Sequence, residues 1–111
     1  MSRLRDRKCA ACAPGTAPLA SDRMAELAIQ LAPGWRVADD GKSLRRSFGF
    51  ANFHETMAFV NAIAWIANAE DHHPDLELGY DYCRVTFATH SIGGLSENDF
   101  ICAAKVDALQ T

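Results

Sequence analysis

The stretch from residue 44 to residue 69, LRRSFGFANFHETMAFVNAIAWIANA, decides the fold class because its apolar residues change period part-way along. Near its start, Phe48 and Phe50 alternate with small residues, which is typical of a strand with one buried face. From Phe53 to Ala69 the apolar residues instead recur at helical spacing. The stretch therefore predicts a strand over Leu44–Phe50 that is followed closely by a long apolar helix.

The predicted helix is apolar over more of its circumference than one sheet face usually requires. Its apolar residues form two neighbouring stripes, one with Phe53, Met57, Val60, Ala64 and Ala67 and a second with Phe59, Ile63 and Ile66. Two interpretations follow. Either the helix is buried deeply at the centre of the domain, or its second stripe takes part in a subunit interface.

On the N-terminal side of this stretch, the sequence predicts a hairpin that is preceded by a helix. Asp40-Gly41 favours the positive φ angles of a tight turn, so it joins a short strand over Trp35–Asp39 to the strand over Leu44–Phe50. Before the hairpin, Ser21 can cap a helix that Pro33-Gly34 ends.

On the C-terminal side, apolar residues alternate with polar ones from Tyr80 to His90, which predicts another strand with His90 on its polar side. Ser96 and Asp99 then have the spacing of a capping box and open a last helix. Hairpin strands with helices between them indicate an α+β domain, in which helices cover one face of an antiparallel sheet.

The composition restricts the classes of protein to which the chain can belong. Its 111 residues, 49% hydrophobic and 23% charged, predict one small domain with little room for an enclosed cofactor cavity. The net charge of −3 excludes a general basic field for nucleic acid, and no apolar run approaches the ~20 residues of a membrane span. We therefore expect a cytoplasmic protein that binds neither nucleic acid directly nor a membrane.

Residues 1–20 are locally basic, but no apolar segment typical of a signal peptide follows them. We predict a flexible N-terminal tail over residues 1–20 and an ordered domain over residues 21–111. The tail contains a CxxC motif, Cys9 and Cys12, which is half of a zinc site, a redox pair or an unstructured pair of thiols. We expect reduced thiols throughout, with Cys83 and Cys102 as small buried apolar residues.

Three of the four histidines lie late in the chain, as His72-His73-Pro74 and His90. Pro74 holds His73 in extended backbone, so the two adjacent imidazoles should point in different directions. Histidine titrates near pH ~6.5, and the acidic residues around His72 and His73 should raise that pKa. The set indicates a site for acid/base catalysis, while zinc binding and a structural role are the alternatives.

A larger set of residues surrounds these histidines at fixed spacing. It consists of Asp71-His72-His73-Pro74, Tyr80, Thr89-His90 and Asp99, flanked by Gly34-Trp35, Phe48-x-Phe50-x-x-Phe53 and Gly94-Leu95-Ser96-Glu97. This set resembles the signature of the pterin-4a-carbinolamine dehydratases, and the resemblance extends from Met24 to Leu109. One departure is Asn68, where many members of that family carry a charged residue, often Glu. Glu70 or Asp71 can substitute for that carboxylate.

The resemblance implies a four-stranded antiparallel sheet with helices packed on one face. It also implies dehydration of 4a-hydroxytetrahydropterin, the product of aromatic amino-acid hydroxylases, to quinonoid dihydropterin, as part of tetrahydropterin recycling. No metal and no organic cofactor are expected for this reaction.

The family's motif also implies roles for the individual residues. His72, His73 and His90 match its catalytic histidines, while Asp99, Pro74, Tyr80 and Thr89 are expected to bind substrate or orient the catalytic residues. Asp99 has two expected roles, as the cap of the last helix and as the partner that orients His90.

The resemblance implies partners as well. We expect a homodimer or homotetramer that binds a pterin, with an aromatic amino-acid hydroxylase as a candidate partner. The family includes dimerisation cofactors for a homeodomain transcription factor in animals. The alternative function is therefore a protein-interaction module, either a dimerisation cofactor or a hydroxylase regulator, that uses the apolar helix surface.

Overall fold

The computed structural model describes residues 3–110; residues 1, 2 and 111, which the predicted tail and domain include, lie outside the described residues. Within that range the chain forms three α-helices and four β-strands. They are α1 (Ser21–Ala28), β1 (Arg36–Val37), β2 (Leu44–Gly49), α2 (Phe53–Glu70), β3 (Asp75–Leu78), β4 (Tyr82–Phe87) and α3 (Glu97–Asp107). Short 3-10 turns lie at Leu4–Asp6, His90–Ile92 and Ala108–Gln110.

The strands of the described chain form one antiparallel sheet in the order β1-β2-β4-β3. In the internal strand β4, Cys83, Val85 and Phe87 are buried and alternate with residues that are exposed or partly exposed. Both α2 and α3 contact β4. The predicted α+β fold, with a four-stranded antiparallel sheet, is confirmed.

The strand β3 is an edge strand that the residue pattern did not indicate. It alternates Asp75 and Glu77 with leucines and is mostly exposed, so its hydrophobic signal is weak. The predicted strand over Tyr80–His90 is also longer than the observed β4. Tyr80 lies instead in the turn between β3 and β4, where the Gly79 N–H donates to the Tyr82 carbonyl at 3.0 Å.

The first helix and the hairpin occupy nearly the predicted positions. The helix begins at Ser21, but Ala20 is its cap residue and offers no side-chain oxygen, so the prediction that Ser21 caps the helix was wrong. The helix also ends at Ala28, ahead of Pro33. In the hairpin, Gly41 has φ 71° and its N–H donates to the Ala38 carbonyl at 2.8 Å, which confirms the predicted turn.

The long helix α2 begins at a side-chain cap, because the Asn52 side chain accepts a hydrogen bond from the Glu55 N–H at 2.9 Å. Its second apolar stripe, Phe59, Ile63 and Ile66, is buried in the domain's own core. That stripe is therefore not available for the subunit interface that one interpretation assigned to it. The exposed apolar side chains of α2 are instead Phe53, 48% exposed, and Trp65, 74% exposed.

The N-terminal segment, residues 3–20, packs against the rest of the domain. Leu4 is only 1% exposed and belongs to the core, and its N–H donates to the Gln30 side chain at 3.0 Å. Further along, the Leu19 N–H donates to the Leu95 carbonyl at 2.9 Å. In the structure, the described part of the predicted tail is packed against the domain, because an apolar side chain and backbone donors find partners there. Mobility of the segment in solution stays a prediction.

The core lies between the buried face of the sheet and the helices. α3 contributes most of its length to it, from Phe100 to Ala104 and again at Val106. The ring centroids of Phe48 and Phe59 lie 4.6 Å apart, which joins β2 to α2. No helix in the described part of the chain is both long and apolar enough to cross a membrane.

Candidate active site

The site begins at a sharp turn that ends α2. Asp71 adopts the left-handed conformation at φ 50° and is the one described non-glycine residue with positive φ. The Asp71 N–H donates to the Asn68 carbonyl at 3.4 Å, and the His72 N–H donates to the Ala67 carbonyl at 3.1 Å. This is the hydrogen-bond pattern of a Schellman motif, which turns the chain sharply at the helix end. The turn directs His72, His73 and Pro74 out of the helix and into β3.

The His72 ring is held by a buried carboxylate. Its Nε2 lies 2.6 Å from Asp99 Oδ1, and the Asp99 side chain is 0% exposed while that of His72 is 12% exposed. The ring also stacks on Phe87 of β4, with 9° between the planes and 6.1 Å between the centroids. Two independent contacts therefore set the orientation of the His72 imidazole.

The hydrogen bond from Asp99 raises the pKa of His72 above its ordinary value. Burial of the ring opposes this shift, whereas the negative charge of Asp99 and, more weakly, the charges of Cys9 and Asp71 add to it. The shift of the His72 pKa has the predicted direction. Its main cause is Asp99, which reaches the ring from α3, rather than the acidic residues beside His72 in the sequence.

The second oxygen of Asp99 completes a buried polar network. Asp99 Oδ2 accepts hydrogen bonds from the Ser96 N–H at 2.9 Å and from Thr89 Oγ1 at 2.8 Å. The Thr89 and Ser96 hydroxyl oxygens lie 2.8 Å apart, and the capping box at the start of α3 is complete. One carboxylate therefore caps a helix and orients a histidine, as expected, but the histidine is His72 and not His90.

Thr89 and His90 extend the network to the surface. Thr89 follows β4 and its N–H donates to the Gly94 carbonyl at 3.0 Å, which closes the turn that contains His90. Both residues line a cleft of about 320 Å³ together with Asp75, Thr86, Lys42 and neighbouring residues. Thr89 therefore connects the cleft to the buried pair of Asp99 and His72.

His73 and His90 are both exposed and lie at the same end of the sheet. Because Asp75 pairs with Thr86, the chain just before β3 runs beside the chain just after β4. Pro74 joins His73 to the first residue of β3, and its orienting role stays a prediction. The structure thus brings the three predicted histidines, Thr89 and Asp99 to one region.

Tyr80 is the predicted site residue that the structure does not bring there. It lies in the turn at the opposite end of the β3–β4 hairpin, its side chain is exposed, and its carbonyl accepts a hydrogen bond from Thr56 Oγ1 at 3.0 Å. An antiparallel hairpin separates its turn from its open end by the length of the strands. Within one chain Tyr80 therefore lies apart from the three histidines, and its role in binding substrate or orienting the catalytic residues stays a prediction.

Glu70 does not take the place of a charged residue at position 68. Its carboxylate, 5% exposed, accepts a hydrogen bond from the Cys9 N–H at 2.8 Å and lies 3.7 Å from Lys8 Nζ and 3.9 Å from Lys105 Nζ. Burial by itself raises the pKa of Glu70. The hydrogen bond from the Cys9 N–H and the positive charges of the two lysines together lower it by more than burial raises it, so the pKa of Glu70 lies below its ordinary value. Glu70 thus anchors the N-terminal segment.

The CxxC motif is also placed differently from a zinc half-site. The Cys9 Sγ lies 3.5 Å from the Cys102 Sγ, while the Cys12 Sγ lies 4.0 Å from the Asn98 side chain. Among residues 3–110, no three His, Cys, Asp or Glu side chains are grouped so that they could hold a metal ion. Cys83 and Cys102 are buried, as predicted.

Two of these contacts, from His72 to Asp99 and from Cys9 to Cys102, were not predicted from the sequence. The one local signal for the contact between His72 and Asp99 was Asp99 itself. A carboxylate at the third helical position can accept hydrogen bonds from other groups besides the backbone N–H of the cap residue. Nothing in the sequence signals the second, since 93 positions separate the two cysteines.

The model of the pterin 4 alpha carbinolamine dehydratase family matches residues 17–109. The chain belongs to this family. The match covers the turn after α2, the whole sheet and α3, and hence every residue of the site described above. The predicted family, and with it the hydro-lyase class of enzyme, is confirmed.

Curated relatives agree with this membership. The chain is 58% identical over 106 residues to a pterin-4-alpha-carbinolamine dehydratase of Nitrosomonas europaea, which covers 96% of this chain and 92% of the relative. It is 56% identical over 108 residues to one of Legionella pneumophila (strain Corby), and the aligned residues cover 97% of this chain and 96% of the relative. It is 59% identical over 91 residues to one of Stenotrophomonas maltophilia, and the aligned residues cover 82% of this chain and 78% of the relative.

Two solved structures share the fold. A transcriptional coactivator/pterin dehydratase from Brucella melitensis matches with a TM-score of 0.79 and 34% identity, over 85% of this chain and 99% of that one. A pterin dehydratase-like protein, identified as a RuBisCO assembly factor in the alpha-carboxysome, matches with a TM-score of 0.60 and 28% identity, over 68% and 88%. The family fold therefore occurs in proteins described by different activities.

Proposed function

We propose that the chain dehydrates 4a-hydroxytetrahydropterin to quinonoid dihydropterin by histidine acid/base catalysis. The observation that carries this proposal is the 2.6 Å contact between His72 Nε2 and Asp99 Oδ1, within the region that matches the family. A carboxylate behind a histidine fixes the ring and its protonation, which is how proteins prepare an imidazole for proton transfer.

The reaction requires two proton transfers. The hydroxyl on C4a must be protonated as it leaves, and the proton on N5 must be removed. Elimination of water is not a redox step, so positioned proton donors and acceptors are sufficient for it. The Asp99 carboxylate raises the pKa of His72 and so favours its protonated form, which suits the donor role. His73 or His90, both exposed, then accepts the N5 proton.

The cleft beside His90 is the proposed pterin site. Its volume of about 320 Å³ is at the lower end of the range typical of small-molecule pockets, and it is open on one side. Thr89 and His90 present polar groups at its wall, and Asp99 acts through His72 and Thr89 as a positioning residue. A short chain can therefore carry this reaction at a shallow surface site.

The test is an assay of the purified protein with synthetic 4a-hydroxytetrahydropterin. We expect acceleration of its dehydration by the natural protein, and loss of that acceleration when His72, His73 and His90 are all changed to Ala. His54→Ala is the matched control, since His54 is exposed at the start of α2. Equal rates for the natural protein and the triple variant would contradict the proposal.

We further propose that the reaction serves tetrahydropterin recycling beside an aromatic amino-acid hydroxylase, in the cytoplasm. The support is the chemistry of the substrate, because a 4a-hydroxylated pterin arises when a tetrahydropterin delivers one oxygen atom to an aromatic ring. Copurification of a hydroxylase with the tagged protein from its own cells is the expected result. The absence of any aromatic amino-acid hydroxylase from those cells would contradict the proposed role in recycling.

The proposed homodimer or homotetramer is supported by apolar side chains that the single chain leaves exposed. They include Phe53 and Trp65 on α2 and Tyr80 and Tyr82 at the β3–β4 turn. Light scattering after gel filtration should give a mass of two or four chains. Trp65→Glu should reduce that mass, because a charge on a buried interface is costly. A monomer at micromolar concentration would contradict it.

The alternative function is a protein-interaction module, and the same exposed apolar surface favours it. The Brucella melitensis protein is described as a transcriptional coactivator and the carboxysome protein as an assembly factor, so members of this fold are linked to protein partners. Retention of a hydroxylase or another partner by the variant without all three histidines would favour this role. Because loss of dehydratase activity alone does not affect binding of a partner, the experiment separates the two functions.

A further inference from the structure

We propose that Cys9 and Cys102 are an oxidisable thiol pair, which peroxide converts to a disulfide that fastens the N-terminal segment to α3. The proposal goes beyond the dehydratase function and does not depend on it. Its basis is the contact between the two sulfur atoms at 3.5 Å, although the residues are 93 positions apart in the chain.

The geometry requires little movement to form the bond. A disulfide joins its sulfur atoms at about 2.0 Å, so the two thiols must approach by about 1.5 Å. Cys102 is 0% exposed and fixed within α3. Cys9 lies in a segment without regular secondary structure and is only half-buried, so its side chain can make the approach.

The surroundings of the pair distinguish the two thiols chemically. The hydrogen bond from Cys102 lowers the pKa of Cys9, with a smaller contribution from the charge of His72, against the opposing effects of burial and Glu70. The same bond and burial raise the pKa of Cys102. Cys9 is therefore the thiol of the pair that loses its proton more readily, and it is also the more exposed of the two, as an attacking thiol requires.

Oxidation then proceeds in two balanced steps. The Cys9 thiolate attacks one oxygen of hydrogen peroxide, the O–O bond breaks, and the sulfur becomes a sulfenic acid while hydroxide leaves and takes up a proton as water. The Cys102 sulfur next attacks the Cys9 sulfur, the S–O bond breaks, and hydroxide leaves with the proton of the Cys102 thiol as a second water. Two thiols are thus oxidised by two electrons, and one peroxide is reduced to two waters.

The position of the bond gives it a structural consequence. Cys102 lies one helical turn after Asp99, and the Cys9 N–H is bonded to Glu70, two residues before His72. The disulfide would therefore join the N-terminal segment covalently to the helix that supplies the carboxylate of the site. Because it closes a loop of most of the chain, it should stabilise the folded state.

The competing product is a bond within the CxxC motif, between Cys9 and Cys12. In the structure, however, the Cys9 sulfur contacts Cys102, and the Cys12 sulfur contacts the Asn98 side chain instead. The fourth thiol, Cys83, is buried in β4. The observed contacts therefore favour Cys102 as the thiol that resolves the sulfenic acid.

Peptide mass spectrometry of the full chain tests the proposal directly. The reduced protein is treated with hydrogen peroxide, alkylated, and digested with trypsin, which leaves Cys9 and Cys12 in one peptide over residues 9–23 and Cys102 in another over residues 85–105. We expect these two peptides to be linked, with a loss of two hydrogens in mass. The link should persist in Cys12→Ser and disappear in Cys9→Ser.

Thermal unfolding supplies a second readout that does not depend on digestion. The oxidised natural protein and oxidised Cys12→Ser should unfold at a Tm higher by about 5 °C or more than their reduced forms, and Cys9→Ser should show no such difference. Cys9→Ser changes a half-buried residue, so it is expected to fold. A bond between Cys9 and Cys12, a bond between two chains, or sulfinic acid at Cys9 without any link would overturn the proposal.

Discussion

His72 Nε2 and Asp99 Oδ1 lie 2.6 Å apart, although His72 follows the end of α2 and Asp99 lies in the first turn of α3. Asp99 is fully buried and shares its other oxygen between Thr89 and the Ser96 N–H. The pair thus couples the protonation of a histidine at the site to the start of α3. Consequences for titration, stability and catalysis follow from this contact.

The first prediction concerns the pKa of His72. Since the Asp99 hydrogen bond raises it, NMR titration of the imidazole protons should give a value above about 6.5 in the natural protein and a lower value in Asp99→Asn. A His72 pKa below 6.5 in the natural protein would show that burial outweighs the carboxylate.

The same shift predicts how stability depends on pH. Because the folded-state pKa of His72 is raised above the unfolded value, its contribution is fully present below about pH 6.5 and is lost as the pH rises through the folded-state pKa. The urea midpoint should therefore decrease with rising pH above about 6.5, and the decrease should be smaller in His72→Gln. Identical dependence of the urea midpoint on pH in the natural protein and in His72→Gln would contradict this prediction.

Removal of the Asp99 carboxylate should be costly for folding. Asp99→Ala deprives α3 of its capping box and leaves buried donors of Thr89, Ser96 and His72 without an acceptor, so we expect a loss of about 2–4 kcal/mol in the free energy of unfolding. Asp99→Asn retains one acceptor oxygen and should lose less. Denaturant unfolding measures both, and equal stability of Asp99→Ala and the natural protein would contradict the network.

Single histidine variants should lower activity without lowering stability. His73 and His90 are exposed, so His73→Ala and His90→Ala should each leave the Tm within a few degrees. Whichever of the two accepts the N5 proton should, when changed to Ala, lower kcat by about 10²–10⁴-fold, as is typical of a lost base. The measurement is the dehydration assay beside a thermal scan, with His54→Ala as control. Natural rates in both variants would remove these residues from the proposed mechanism.

The packing of the N-terminal segment is testable at Leu4. Because Leu4 is 1% exposed, Leu4→Ala should cost about 2–4 kcal/mol, whereas Ile29→Ala, at a site 85% exposed, should change stability by at most about 0.5 kcal/mol. Urea unfolding of the two variants gives the comparison. A Leu4→Ala variant as stable as Ile29→Ala would restore the interpretation of a loose tail.

The fold was predictable where the hydrophobic period is long or the turn chemistry specific. The alternation around Phe48 and the helical spacing from Phe53 onward correspond to β2 and α2, and Asp40-Gly41 forms the hairpin turn. The edge strand β3 was less predictable, since an exposed strand of alternating acids and leucines has little apolar signal. Ser21 was misassigned because a serine near a helix start can be either the cap or the first helical residue.

The candidate site was predictable as a set of residues but not as a set of contacts. The spacing of His72, His73, His90, Thr89 and Asp99 indicated one site, and the fold brings these residues to one region. Tyr80 belongs to the same spaced set and yet lies at the far end of the hairpin. Spacing along a chain carries no information about which end of an antiparallel pair a residue occupies until the turn is located.

By itself, the sequence determined the fold class, the family and the residue types available for acid/base chemistry, because periodicity, turn residues and spaced motifs are local properties of the chain. Only the tertiary structure decided that Asp99 pairs with His72 rather than His90, that Glu70 and Leu4 hold the N-terminal segment, and that Cys9 meets Cys102. The contacts of Asp99 with His72, of Glu70 with Cys9 and of Cys9 with Cys102 join residues 27, 61 and 93 positions apart. They depend on how α2, α3 and the N-terminal segment pack together, and packing is a property of the whole chain.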